Sequence, residues 1–215
     1  PWQDLETTWG PESSAYGMIR PPLDGWQHWI VEPFRNWDGT WYSLVAESSY
    51  APGMSATAAF FPLYPWLMQL GSDLTGMPVE TIGWIVSHLA CLGGLVMTYK
   101  LVSMDFSEKI ARWTLVALAV FPTAFFFSAV YTESLFLFLA VTTLWAARKN
   151  DWLLAGIIGF FAALTRSAGI MLLAPLAVLF IQAHGWDLRR WFPTAFLALL
   201  PPAGLQEEEQ PGPGR

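Results

Sequence analysis

Cysteine is almost missing from this sequence. Cys91 is the single one and lies inside an apolar run, so neither a disulfide framework nor a cysteine-based metal site can be built from it. Histidine is scarce as well. His28 and His184 sit in loops with no second ligand at metal-binding spacing, and His88, in WIVSHLACLGG, lies where a hydrogen-bonded packing role is the plainer reading. Charge is sparse: 13% of the 215 residues are charged, against 54% hydrophobic. A soluble surface needs more charge than that, so the composition indicates an integral membrane protein. HExxH, Walker-type, GxGxxG, GxSxG and DxD motifs are all absent. Arg and Lys never form a basic aromatic stripe, which excludes a nucleic-acid partner. The chain opens at Pro1 without an initiator Met or a secretory signal pattern, and we expect further sequence upstream. Its end, LPPAGLQEEEQPGPGR, cannot bury enough apolar surface to fold, and residues 205–215 are expected to be a disordered tail.

What is abundant is aromatic and apolar. Thirteen Trp and fifteen Phe suit rings placed at membrane interfaces and between helices. Apolar runs occupy 81–99, 113–131, 134–147, 152–165, 168–183 and 191–204, predicting an all-α polytopic bundle of six spans over 81–204. Some are short: about 14 residues at about 1.5 Å each cover about 21 Å of a ~30 Å hydrocarbon layer, so flanking polar residues or tilt must help. Lys100, Lys109 and Arg112, then Arg148 and Lys149, then Arg189 and Arg190, mark alternate loops as cytoplasmic. That scheme requires a break near Arg166–Gly169. It also places residues 1–80, with nine acidic residues against Arg20 and Arg35, outside as an extracytoplasmic loop. Within this loop, AFFPLYPWLMQL (59–70) is too short and too proline-rich to span. Pro62 and Pro65 are expected to interrupt regular helix, leaving a re-entrant or interface-lying segment beside a cleft.

Three ionisable residues fall at the external membrane boundary: Asp38 in NWDGTWY, Glu133 in YTESLF and Arg166 in ALTRSAG. Charge at membrane depth is costly and usually marks a site. Each also has a structural reading. Asp38 begins an Asp-Gly turn dipeptide, Glu133 follows Thr132 as a helix-start acid, and Arg166 snorkels to the interface.

The strings FRNWDGTWYSLVAESSY, TAAFFPLYPWL, FPTAFFFSAVYTESLFLFLAV and AALTRSAGIMLLAPLAV, in that order over about residues 34–180, resemble the PIG-V-like mannosyltransferases of the GT-C fold. The Asp-Gly-Thr-Trp form and the wide use of Trp are similar to actinobacterial members. The resemblance implies a polytopic enzyme that transfers a mannosyl or related unit from a polyprenyl-phosphate sugar to a lipid-linked or glycan acceptor on the extracytoplasmic face. In eukaryotic relatives the acceptor is the glycosylphosphatidylinositol precursor and the membrane is that of the endoplasmic reticulum; a bacterial member would lie in the cell membrane. The catalytic Asp of the family's first external loop maps onto Asp38.

The chemistry suits the residues. A lipid phosphate is a competent leaving group, so the protein needs a carboxylate base for the acceptor hydroxyl and a cation for the departing phosphate. Asp38 and Arg166 are of those types, with Glu133 and Tyr131 beside them in the substrate-binding set. Trp37, Trp41 and Tyr42 are placed either to stack on sugar faces or to anchor the loop at the interface. No cofactor is expected, and a divalent metal is not obligatory because the donor lacks a diphosphate. A non-catalytic membrane subunit or a transporter fragment is the competing reading, and the surroundings of Asp38 discriminate between them.

Overall fold

The computed structural model describes residues 20–50, 57 and 59–185. The expected run at 191–204 and the tail lie outside the described residues. Among those described, every regular element is helical: α1 Trp26–Ile30, α2 Asp38–Ser48, α3 Leu63–Thr75, α4 Val79–Val102, α5 Glu108–Val120, α6 Glu133–Arg148, α7 Trp152–Ala163 and α8 Leu173–His184. Three 3-10 turns, at Glu32–Phe34, Ala124–Phe127 and Ser167–Leu172, join them.

Local chemistry sets the ends of these helices. The Ser107 hydroxyl accepts the Ile110 N–H at the start of α5, and the Asp151 carboxylate accepts the Leu154 N–H at the start of α7. Glu80 and Glu133 occupy first turns, and Lys100 and Arg148 last turns, in accord with the helix dipole. Helix α5 stops at Val120, well short of the apolar run that ends at residue 131. Phe121 is extended (φ −63°, ψ 139°) because it precedes Pro122, and that proline cannot continue the hydrogen-bond ladder.

Two stretches, Val79–Val102 and Ser167–His184, are long and apolar enough to cross a membrane. At about 1.5 Å per residue, α4 is roughly 36 Å long, and α3, α5 and α6 all pack along it. Its GlyGly pair lets α6 approach closely: a Cβ on Gly93 would lie 2.9 Å from the Phe138 ring, and one on Gly94 would lie 3.3 Å from Leu137. Buried Thr98, Thr142 and Thr143 donate to carbonyls four residues back in their own helices, so they enter the apolar interior with their hydroxyls satisfied.

The proline-rich segment differs from expectation. Pro62 caps α3 and Pro65 lies in its first turn, where no intrahelical N–H is needed, so the prolines start a regular helix instead of breaking one. Tyr64 and Met68 are fully buried, while Trp66, Leu70 and Leu74 form an exposed apolar stripe at helical spacing. The core runs across residue 80, joining Leu23, Val31, Tyr42 and Tyr64 to Val79, Ala90, Val130 and Leu135.

The helix does break between α7 and α8. Arg166 is extended (φ −155°, ψ 151°), and the following 3-10 turn folds Gly169 onto α7, where a Cβ would lie 2.5 Å from the Ala162 carbonyl and the Ala163 Cα. Backbone on both sides leaves that collision no soft escape. Gly169→Ala should therefore destabilise the protein by about 1–3 kcal/mol, read as a lowered unfolding midpoint in detergent. Gly156→Ala, with nothing within 4 Å of the added atom, should be neutral or stabilising by up to about 1 kcal/mol.

Candidate active site

The approach to Asp38 is built on buried charge. The guanidinium of Arg35, 4% exposed, donates to the Glu32 carboxylate (2.5 Å), to Glu80 (3.3 Å) and to the Pro21 carbonyl (2.7 Å). Arg20 bonds the same Glu80 oxygen at 2.7 Å and also reaches Glu47 in α2. The second Glu32 oxygen accepts the Leu23 N–H at 2.8 Å. Residues 20–36 are thereby tied to α2 and to the head of α4. Sequence reasoning had registered these side chains only as an excess of external acid. Nothing local signals the pairing, because Glu80 lies 60 residues from Arg20 and 45 from Arg35.

Asp38 is both a turn residue and a helix start: the Gly39 N–H donates to the Asn36 carbonyl at 3.2 Å across Trp37–Asp38, and Asp38 is the first residue of α2. Trp37 before it has φ 55° and ψ −120°, a conformation natural to glycine and rare for a bulky side chain. Gly39 after it lets the 130–131 backbone pass, since a Cβ there would lie 3.3 Å from the Val130 carbonyl. The Val130 N–H in turn donates to the Phe34 carbonyl at 2.9 Å. The Tyr131 hydroxyl accepts the Asp38 N–H at 3.2 Å and donates to the Asn36 carbonyl at 3.1 Å.

Glu133 is the first residue of α6. Thr132 stands at the cap position without capping, because its hydroxyl is shared with that of Tyr42 at 3.2 Å. Arg166 reaches across from the α7–α8 break and bonds the Glu133 carboxylate at 2.5 Å, so it is paired as well as partly exposed. The other carboxylate oxygen of Glu133 is buried with no hydrogen-bond partner. Asp38 is exposed and its carboxylate makes no hydrogen bond among the described residues, yet it lies within electrostatic reach of Arg166, Tyr42 and Tyr131. Asp38, Tyr42, Tyr131, Glu133 and Arg166 therefore form one group.

The aromatics divide. Trp37 is 72% exposed, whereas Trp41 stacks on Phe60 (5.8 Å, 17°) and Tyr42 is buried edge-on against Phe60 and Tyr64. Burial pushes the Tyr42 phenol up to about 12, so it stays a neutral hydrogen-bonding group at physiological pH. The start of α3 is joined to the same region, the Leu63 N–H donating to the Leu164 carbonyl at 3.1 Å.

The basic residues lie elsewhere. Arg148 at the end of α6 pairs with Asp105 in the α4–α5 loop, which brings the helix ends carrying Lys100, Lys109, Arg112 and Arg148, with Lys149 after them, to one end of α4, opposite the Asp38 group. His88 bonds the Trp84 carbonyl at 2.8 Å and packs against the Trp84 ring, a packing role. An apolar groove of about 430 Å³ between α7 and α8 runs from Trp152 to Gly169, three residues beyond Arg166. Neither it nor the shallow hollow along α5 includes Asp38. Among the described residues no group of three His, Cys, Asp or Glu side chains is arranged to hold a metal ion.

Residues 57–202 match the family described as dolichyl-phosphate-mannose-protein mannosyltransferase. The chain belongs to this mannosyltransferase family. It is also similar to GPI mannosyltransferase 2 of Drosophila pseudoobscura pseudoobscura, 26% identical over 127 residues, covering 54% of this chain and 28% of that relative. The chain thus spans well under two thirds of the relative's length. No solved structure matches it. Tyr131, Glu133 and Arg166 fall inside the family match, and Asp38 precedes it.

Removing one member of a buried ion cluster strands the others. Arg35→Met should cost about 3–5 kcal/mol, measured by thermal unfolding in detergent, and Arg35→Lys should cost less because it keeps the charge while losing the fork.

Proposed function

We propose that the full-length protein is a multi-pass membrane glycosyltransferase of the PIG-V-like, GT-C type. It moves a mannosyl or related unit from a polyprenyl-phosphate sugar to a lipid-linked or glycan acceptor on the extracytoplasmic face. The observation that carries this reading is the grouping of Asp38, Glu133 and Arg166 at the end of α4 opposite the basic loops, in a chain of a mannosyltransferase family. The name of the fly relative supports the PIG-V-like assignment over other members of the class.

In this reaction the acceptor hydroxyl oxygen attacks the anomeric carbon and the bond from that carbon to the phosphate oxygen breaks. The hydroxyl proton passes to the Asp38 carboxylate, which no protein donor occupies among the described residues. The electron pair leaves with the polyprenyl phosphate, whose charge Arg166 balances. Glu133 orients that guanidinium, and Tyr42 shares a hydrogen bond with the hydroxyl of Thr132, the residue before Glu133. Exposed Trp37 offers a face for a sugar ring, whereas Trp41 is committed to Phe60. The groove between α7 and α8 suits the polyprenyl chain, since it is apolar and ends close to Arg166. The chemistry as written requires no metal ion or cofactor. The membrane is the cell membrane for a bacterial protein and that of the endoplasmic reticulum for a eukaryotic one.

The decisive experiment is transfer from radiolabelled polyprenyl-phosphate mannose by membranes containing the full-length protein. Asp38→Asn keeps the shape and removes the base, so the rate should fall about 10²–10⁴-fold with the amount of inserted protein unchanged. Arg166→Lys should impair donor use less than Arg166→Ala. Near wild-type turnover by Asp38→Asn would refute Asp38 as the base, and no transfer above background by the wild-type protein would leave a membrane subunit.

Orientation is tested separately, in a Cys91→Ser background. A cysteine at exposed Ser48 should react with an impermeant thiol reagent added outside intact cells, and one at exposed Asn150 should not. Labelling of position 150 from outside would invert the arrangement.

A further inference from the structure

The Trp37 backbone and the Tyr131 hydroxyl together carry a role that base chemistry alone does not assign. Trp37 holds a positive φ (55°) with ψ −120°, a state that a bulky side chain keeps only when its surroundings enforce it. Its own side chain enforces nothing, being largely exposed. The constraint comes from the flanking peptide groups. Two contacts span the strained residue: the Gly39 N–H donates to the Asn36 carbonyl at 3.2 Å, and the Tyr131 phenol oxygen donates to that same carbonyl while accepting the Asp38 N–H on the other side. Both phenol bonds use capacity the group has, one O–H and free lone pairs.

Tyr131 is itself immobilised. Its ring stacks on Phe126 (5.4 Å, 24°) and lies beside Gly39, where an added Cβ would sit 3.7 Å from it. Its carbonyl accepts the Ser87 hydroxyl of α4 at 3.1 Å, and the residue is buried. The clamp is thus anchored to the longest helix of the bundle. Asp38, the first residue after the strained one, takes its direction from this backbone, because nothing among the described residues hydrogen-bonds its carboxylate.

We propose that Tyr131 is a positioning residue: its hydroxyl holds the Asn36–Asp38 backbone in its strained form and so aims the Asp38 carboxylate at the acceptor hydroxyl. This assignment rests on Asp38 being the base and moves Tyr131 out of the substrate-contacting set. Without the clamp only the Gly39–Asn36 bond spans Trp37, the strained backbone loosens, and the carboxylate is no longer held in one direction. Loss of aim of this kind costs up to about a hundredfold in rate while leaving donor binding at Arg166 and Glu133 in place.

The test uses the full-length protein in membranes with radiolabelled polyprenyl-phosphate mannose, with rates normalised to inserted protein. Tyr131→Phe should lower the saturated transfer rate about 10- to 100-fold while the apparent KM for the donor stays within about twofold. In the Asp38→Asn background the same change should alter the residual rate by less than about twofold, since there is no base left to aim. Glycine adopts Trp37's backbone without strain, so in a Trp37→Gly background Tyr131→Phe should cost markedly less than in the wild type. A wild-type rate in Tyr131→Phe, or an equal fold loss in the presence and absence of Asp38, would overturn the assignment. So would an undiminished loss in the Trp37→Gly background. If Asp38→Asn is inactive while Tyr131→Phe is fully active, only the positioning role fails; if Asp38→Asn is fully active, the base itself is misassigned.

Discussion

The Arg20, Arg35, Glu32, Glu47 and Glu80 cluster is the interaction on which the arrangement of this end of the molecule depends. Arg35 and Glu80 are both almost wholly buried, at 4% and 3% exposure, so neither can lose its partner without leaving an uncompensated charge out of water. Such a cluster is a poor source of net stability and a strong source of specificity, because an alternative docking of residues 20–36 would leave these charges unmatched. Three residues after Arg35 comes Asp38. The position of the candidate base is therefore set from one side by charge pairing and from the other by the Tyr131 hydroxyl.

The features that were legible in the sequence are those with local causes. Apolar length marked α4, and the rule that basic loops share a side demanded the break at Arg166, which the extended conformation there supplies. The hydrogen-bonded packing of His88 followed from its apolar surroundings. Pro62 and Pro65 were misread because proline has opposite effects in the first turn of a helix and in its interior, and composition alone does not fix the register. Asp38–Gly39 had the appearance of a turn, and the Gly39 N–H does close one on the Asn36 carbonyl; what the dipeptide did not show is that this turn opens α2 and that its glycine lets the Val130–Tyr131 backbone pass. Thr132 had the sequence of a cap and became a partner of Tyr42, a choice visible only once α2 and α6 are side by side. The ion cluster and the Tyr131 clamp join positions many tens of residues apart, beyond the reach of any local pattern.

The bundle also explains how polar chemistry can sit at the end of an apolar assembly. Where α4 and α6 pack together, glycine approach closes the gap and Thr98, Thr142 and Thr143 satisfy their hydroxyls within their own helices. Beside the ion cluster, polar groups gather where chain segments cross: at 36–42, at 130–133 and at 164–166. Each crossing has a residue that permits it, Gly39 for the first two and Gly169 for the third.

The pairing of Arg166 with Glu133 has a consequence for turnover. An arginine with no resident anion would hold any incoming phosphate tightly, including the spent carrier after the sugar has gone. With Glu133 already bonded to it, an arriving phosphate must share the guanidinium or displace a carboxylate whose second oxygen is buried and unpartnered. The carboxylate is a tethered competitor that returns as soon as the ligand loosens. In the proposed reaction this would reduce affinity for donor and for carrier product together, and would give the cycle a built-in force for emptying the site.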